Sequence, residues 1–161
     1  GAVMKKGLLS VLSLLAGGIA GAVSAGVKWN EKVKEEHMYA QKHLTIMQMF
    51  NQWLIVRQEG KNLAGFFKNN GFGTVAVYGM SYLGERLVDE LRGSGIEVKY
   101  AIDKNAENIC TDVEIKQPTD HLPDVDVVVV TAVYFFDEIE SELVQRVDCP
   151  VISLEDVLFE V

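Results

Sequence analysis

The chain has 161 residues, 48% hydrophobic and 24% charged, with a formal net charge of −8. That length makes one compact domain with an appendage. Nine Lys and Arg face four Asp and Glu up to Gly73, net +5, and six face nineteen from Thr74 onward, net −13. The acidic second half argues against nucleic acid as a partner, because phosphate backbones are bound by Lys and Arg.

Gly1-Ala2-Val3 precedes Met4 and reads as an extraneous leader. Lys5 and Lys6 follow, then Gly7 to Val27, 21 residues without a charge. A helix of that length, at ~1.5 Å per residue, spans a hydrocarbon core of ~30 Å. The expectation is a membrane anchor at residues 7–27. A secretory signal peptide cut after Ala25 is the alternative, and a buried helix of a soluble fold is a third. The run is longer than the apolar core of a signal peptide, which favours the anchor. Ser13, Gly17, Gly21 and Ala25 form one small-residue ridge, and Gly18, Ala22 and Gly26 the next. Gly17 and Gly21 make a GxxxG, a motif that lets helix backbones approach in lipid. Lys28, Lys32, Lys34 and Lys42 on the C-terminal flank outnumber Lys5 and Lys6, so the globular part is expected in the cytoplasm.

No Gly or Pro occurs from Lys28 to Glu59, which predicts a long helix over residues 28–59. Its second half carries Leu44, Ile46, Met47, Met49, Phe50, Trp53, Leu54 and Val56. That surface is too broad for a helix alone in water, so it packs on the globular domain, a second copy or a partner. His37 and His43 are six apart and lack the i,i+4 spacing of zinc ligands on a helix. A short helix capped by Asn62 follows, with Leu63, Phe66 and Phe67 inward. The globular domain is assigned to residues 60–161.

Val75 to Asp103 reads as strand, glycine turn, helix and strand ending in an acid. Val75-Ala76-Val77-Tyr78 is the first strand. Leu83, Leu87 and Leu91, with Val88, make the apolar face of the helix, and Gly93 and Gly95 stop it. Gly79-Met80-Ser81-Tyr82-Leu83-Gly84 matches the G-x-G-x-x-G fingerprint except at Ser81. In that reading Gly79 makes the turn, Gly84 lets the helix close on the strand, and the helix N-terminus offers N–H groups to a phosphate. Asp103, 19 residues after Gly84, is placed to accept ribose hydroxyls. Serine in the middle position weakens the case for a tightly held pyrophosphate.

One helical turn is expected within 104–110 and a short strand at 113–115. His121 lies alone in a loop bracketed by Pro118 and Pro123. Asp126 to Thr131 is a β-branched core strand, with Thr131 at the edge where such sheets bind ligands. A helix is expected from Phe135 to Val147, stopped by Pro150. Val151-Ile152-Ser153 is the last strand, and Ser153 caps a final helix from Leu154 to Glu160. Cys110 and Cys149 form no CxxC or metal spacing and read as free thiols. No residue is assigned to catalysis or to a metal.

The segments GFGTVAVYGMSYLGERLVDELRGSGIEVKYAIDKNAENI, LPDVDVVVVTAVYFFDEIESEL and CPVISLEDVL resemble a group of small Rossmann-like proteins and domains. These are met beside bacterial surface-polysaccharide genes or attached to glycosyltransferases. FNQWLIVRQEGKNLAGFF is similar to the helical lead-in of that group, so the resemblance covers Met49 to Leu158. More distantly, the unit is similar to the nucleotide-binding domain of sugar acyltransferases and to nucleotide-sensing domains of potassium-uptake regulators. The resemblance implies NAD or a nucleoside-diphosphate sugar as ligand, and a glycosyltransferase or other membrane protein as partner.

The expected fold is α/β: a Rossmann-like, three-layer parallel sheet in order 3-2-1-4-5 behind an N-terminal membrane-spanning helix. Three functions follow. The first is a membrane-tethered binding or regulatory module with a nucleotide ligand at Gly79, Met80, Ser81, Tyr82, Leu83, Gly84, Asp103 and Thr131, and with self-association through its N-terminal helices. The second is an NAD-dependent oxidoreductase or epimerase. Tyr100 and Lys104 have YxxxK spacing, but Tyr100 falls in a strand, and that pair works from one helix face. The third is a structural oligomerisation protein whose fold binds no ligand.

Overall fold

In the computed structural model the backbone is described for residues 2–161 and the side chains for residues 21–161. Two compact units are present, residues 1–43 and Leu44–Val161. Helix α1, Ala2–Gln58, contributes to both. Most of the uncharged 7–27 run, with Ser13, Gly17 and Gly18, lies outside the described side chains. Among the described residues no helix is long and apolar enough to cross a membrane. Residues 21–43 are exposed throughout, including Trp29 and Tyr39.

The second unit is a five-stranded parallel sheet in the order β3-β2-β1-β4-β5. After α1 come α2 (Leu63–Asn69), β1 (Thr74–Tyr78), α3 (Tyr82–Leu91) and β2 (Glu97–Ile102). Then follow β3 (Ile115–Lys116), β4 (Val127–Val130), α4 (Phe136–Leu143), β5 (Val151–Ser153) and α5 (Leu154–Glu160). The α/β class and the strand order match the expectation. The central strands are apolar on both sides, because both faces of a parallel sheet are covered. β4 is four buried valines, and β1 pairs with it from Val75↔Val127 to Tyr78↔Val130.

The two faces are covered unequally. On one, Val75, Val77, Val127 and Val129 meet Leu83, Leu87 and Leu91 of α3, Phe67 of α2 and Leu154, Val157 and Leu158 of α5. Each of these large side chains contributes about 1.5–3 kcal/mol by leaving water. Met49, Trp53 and Val56 join the same cluster. The broad apolar surface of the long helix is therefore partly accounted for: its last turns are core of the globular unit. On the other face Ala76, Tyr78, Tyr100, Ile102, Val128 and Val130 meet Ile139 and Leu143 of α4, Val151, and Leu122 from the connection between β3 and β4, with the partly buried Val125, Phe135, Phe136 and Val147 around them.

That connection has no helix, and the one between β2 and β3 has a single 3-10 turn, Ala106–Asn108. α4 is shorter than its sequence pattern. It ends at Leu143, and the chain tightens as the N–H groups of Arg146 and Val147 both turn back to the Leu143 carbonyl. Pro150 then sets the extended entry into β5. The caps behave as expected: the Asn62 side chain accepts from Gly65 N at 3.1 Å, and Ser153 Oγ accepts from Glu155 N at 3.2 Å.

Candidate functional site

The C-terminal ends of β1, β2 and β4 meet at one edge of the sheet, where α3 begins. Parallel α/β sheets bind their ligands at such edges. The edge is built around Gly79, which follows β1 directly. Its N–H still belongs to the sheet, donating to Ile102 O at 2.8 Å. Its φ is +96°, so the chain reverses there in a conformation that L side chains rarely adopt. A Cβ at Gly79 would stand 2.9 Å from Thr131 Oγ1. Gly84 has the second role. A Cβ there would lie 2.0 Å from the Gly79 carbonyl oxygen, so only glycine lets α3 close on the turn.

Of the residues singled out in the sequence, the structure brings Gly79 to Gly84, Asp103 and Thr131 together at this edge. Their side chains divide in use. Met80 and Leu83 are buried in the core under α3. Thr131 is also buried, and its hydroxyl lies 2.6 Å from Gly79 O and 3.1 Å from Tyr78 O. With one hydrogen to give, it donates to the nearer oxygen and pins the turn to β4. Ser81 and Tyr82 face solvent, Tyr82 at 72% exposure. Ser81 is the N-cap of α3, and its side chain makes no capping bond. The first N–H groups of α3 thus lack the usual side-chain acceptor.

Asp103 is engaged by the chain itself. Its Oδ2 accepts from Met80 N at 2.8 Å, and its Oδ1 accepts from Asn105 N at 2.8 Å. The acid is half-buried and ties the end of β2 to the glycine turn. An ionised carboxylate has about four lone-pair positions. Two are filled here by the chain's own N–H groups.

Sequence reasoning passed over Tyr78. It is the last residue of β1, 4% exposed, with its ring on the α4 face. Its hydroxyl is buried and has no hydrogen-bond partner among the described residues. Burial, then the charges of Glu142 and Asp103, raises its pKa. The available signal was a tyrosine closing an otherwise aliphatic strand just before the turn.

The YxxxK spacing does not make a working pair. The Tyr100 hydroxyl donates to Pro123 O at 2.7 Å, and burial, followed by the charges of Cys149 and Asp124, pushes its pKa up to about 12. Such a phenol is too weak an acid for proton transfer near neutral pH. His43 Nδ1 lies 2.8 Å from Tyr39 O, and His121 is exposed. Cys110 and Cys149 are free, and burial raises the pKa of Cys149. Among the described residues no cluster of three or more His, Cys, Asp or Glu is arranged for a metal.

A second polar cluster lies behind α3. Glu90, 12% exposed at its side chain, accepts from Trp53 Nε1 and, at 2.7 Å, from Leu63 N. Arg57 stands 3.8 Å from the same carboxylate. This joint fixes the end of α1 and the start of α2 to α3. Beside it is an open hollow of about 550 Å³ lined by Phe50, Leu54, Arg57 and Arg86. A scan of protein-family models, a search of curated proteins and a search of solved structures each gave no match to this chain.

Proposed function

We infer that the protein is a small-ligand binding module of Rossmann-like design, taking a nucleotide-type ligand through its ribose at the β1–α3 turn. The observation that carries the reading is the turn itself. Gly79 is at positive φ, Gly84 is packed on the Gly79 carbonyl, and an acid at the end of β2 is within hydrogen-bond distance of the same loop. The two lone pairs left on Asp103 suit the vicinal hydroxyls of a ribose. NAD and nucleoside-diphosphate sugars are the ligands implied by resemblance. Their ribose suits Asp103; their diphosphate suits the edge poorly, because that carboxylate already holds the Met80 N–H beside the start of α3.

Tethering to a membrane through residues 7–27, with the globular unit in the cytoplasm, is part of the proposal. It is supported by the uncharged run and its lysine flank. Self-association or docking on a membrane partner through the small-residue ridge belongs to the same reading. A place beside surface-polysaccharide machinery rests on the resemblance alone. The test is calorimetry on the full chain in mild detergent with adenosine, uridine, NAD and a UDP-sugar. Saturable binding of at least one, lost in Gly79→Val but not in the distant Lys68→Ala, is expected. Failure of all four would leave the fold as a scaffold without a ligand. Release of the full chain by alkaline carbonate would remove the tether.

A further inference from the structure

The last turns of α1 have a second apolar face besides the one that enters the core. From His43 to Gln58 the exposed positions fall in pairs: 43–44, 47–48, 50–51, 54–55 and 57–58. The pairs start four, three, four and three residues apart, which is the 3.5-residue period of a two-helix seam. Between them Ile46, Met49, Trp53 and Val56 pack on the globular unit. The outward positions are therefore g, a, d and e of a heptad. Leu44, Asn51 and Gln58 stand at a, and Met47 and Leu54 at d.

A helix face turned to water is ordinarily rich in charge. This one carries no carboxylate, although 23 of the 161 residues are Asp or Glu. Its one charged residue, Arg57, stands 3.8 Å from Glu90. Leu44, Met47, Phe50, Leu54 and Ile55 are 36% to 61% exposed.

What fits the face is a second copy of itself. In a parallel, in-register pair each a and d residue meets its own counterpart, and g meets e of the next heptad. Leu44, Met47 and Leu54 then form apolar layers. Asn51 forms a polar one, where two side-chain amides can hydrogen-bond to each other. On the flanks Phe50 meets Ile55 and His43 meets Gln48, and no like charges oppose. An antiparallel pair sets a against d, which leaves Asn51 beside Met47 or Leu54 without a partner and costs the desolvation of its amide. Phe50 and Leu54 also line the open hollow of about 550 Å³, so Ile55 of the second copy would lie against its wall. The seven-residue spacing continues upstream in the sequence, with His37 at a and the exposed Val33 and Ala40 at d. Four successive d positions are the length that a coiled coil needs.

We propose that the protein is a parallel homodimer joined by a two-stranded coiled coil along this outward face of α1, held in register by Asn51. The contact is separate from the small-residue ridge and does not depend on a bound nucleotide. It is isologous, the same surface serving on both copies.

The experiment is cysteine cross-linking of the full chain in mild detergent, with Cys110→Ser and Cys149→Ser removing the native thiols. Met47→Cys and Leu54→Cys should each link to themselves under a mild oxidant. The covalent dimer on a denaturing gel should exceed at least fivefold that of Lys68→Cys, an exposed position on α2. The two seam sites are one heptad, ~10.5 Å, apart along the helix. An antiparallel pair can bring only one of them opposite itself, so linkage at both requires the parallel register. Adding Leu44→Glu, at a side chain exposed in the single chain, should cut the Met47→Cys linkage at least fivefold with unchanged circular dichroism. Seam linkage no greater than that of Lys68→Cys would overturn the proposal. Linkage at only one seam site would overturn it in favour of an antiparallel pair. Linkage that survives Leu44→Glu would overturn it as well and place the contact at the small-residue ridge.

Discussion

Gly84 and Gly65 are both helical glycines, yet adding a methyl should act in opposite directions. At Gly84 the new Cβ would meet the Gly79 carbonyl at 2.0 Å, and neither backbone can retreat while Thr131 holds Gly79. Gly84→Ala should cost about 3 kcal/mol, at the upper end of ordinary overpacking. At Gly65 the nearest atom would be Asn62 Oδ1 at 4.0 Å, so Gly65→Ala should gain about 0.5–1 kcal/mol from reduced unfolded-state entropy. Urea unfolding of the two variants checks both signs, and equal effects would contradict this account of the turn. Tyr100 gives the pH dependence. Its folded pKa of about 12 exceeds the ordinary tyrosine value of 10.0, so its contribution is whole below pH 10 and is lost as pH rises through about 12. The loss amounts to about 3 kcal/mol across that window. Tyr100→Phe should therefore unfold at a higher alkaline pH than the wild type in a circular dichroism titration. An unmoved alkaline midpoint would show that this phenol is not what opens the fold.

Among the elements, the junction of α1, α2 and α3 depends on one carboxylate. Replacing Glu90 by Ala leaves the Trp53 and Leu63 N–H groups without their acceptor in a half-buried site. The expected loss is about 3 kcal/mol, one to three for each orphaned donor. Urea unfolding measures it, and a red shift of tryptophan emission should accompany it as Trp53 loses its packing. Stability within 0.5 kcal/mol of wild type, about the scatter for neutral surface changes, would refute the joint. Nothing in sequence spacing announces this contact, because Glu90 looks like the polar face of α3 and its partners are 37 and 27 positions away. The strands were legible for the opposite reason. The valines of β1 and β4 and the leucine repeat of α3 are local patterns, and their order along the chain fixes which helix follows which strand. The glycine turn was legible too, since Gly79 and Gly84 meet local backbone needs. The double use of Asp103 was not, because spacing says that an acid reaches the edge and not whether the chain itself will use it. The same limit applies to α4, whose apolar spacing continues to Val147 while its hydrogen bonding changes after Leu143.

For the globular unit as a whole, the fold is an asymmetric sandwich. One face of the sheet is sealed by parts of four helices, and the other by an eight-residue helix, the segments that flank it and the connection leading to β4. The asymmetry has a consequence in time rather than in energy. A cover with few buried contacts opens by itself, without waiting for the sheet to come apart. Backbone amides of β3, of residues 117–126 and of α4 should exchange with deuterium through such local openings, at rates insensitive to low urea. Those of β1 and β4, hydrogen-bonded on both sides within the sheet, should exchange only with global unfolding. Mass spectrometry of peptides from the two regions would separate these regimes, and a single rate class throughout would show that both covers open together. Tyr78 lies beneath the thinner cover, so its unpartnered hydroxyl should meet water during these brief openings while the glycine turn at the sheet's edge stays closed.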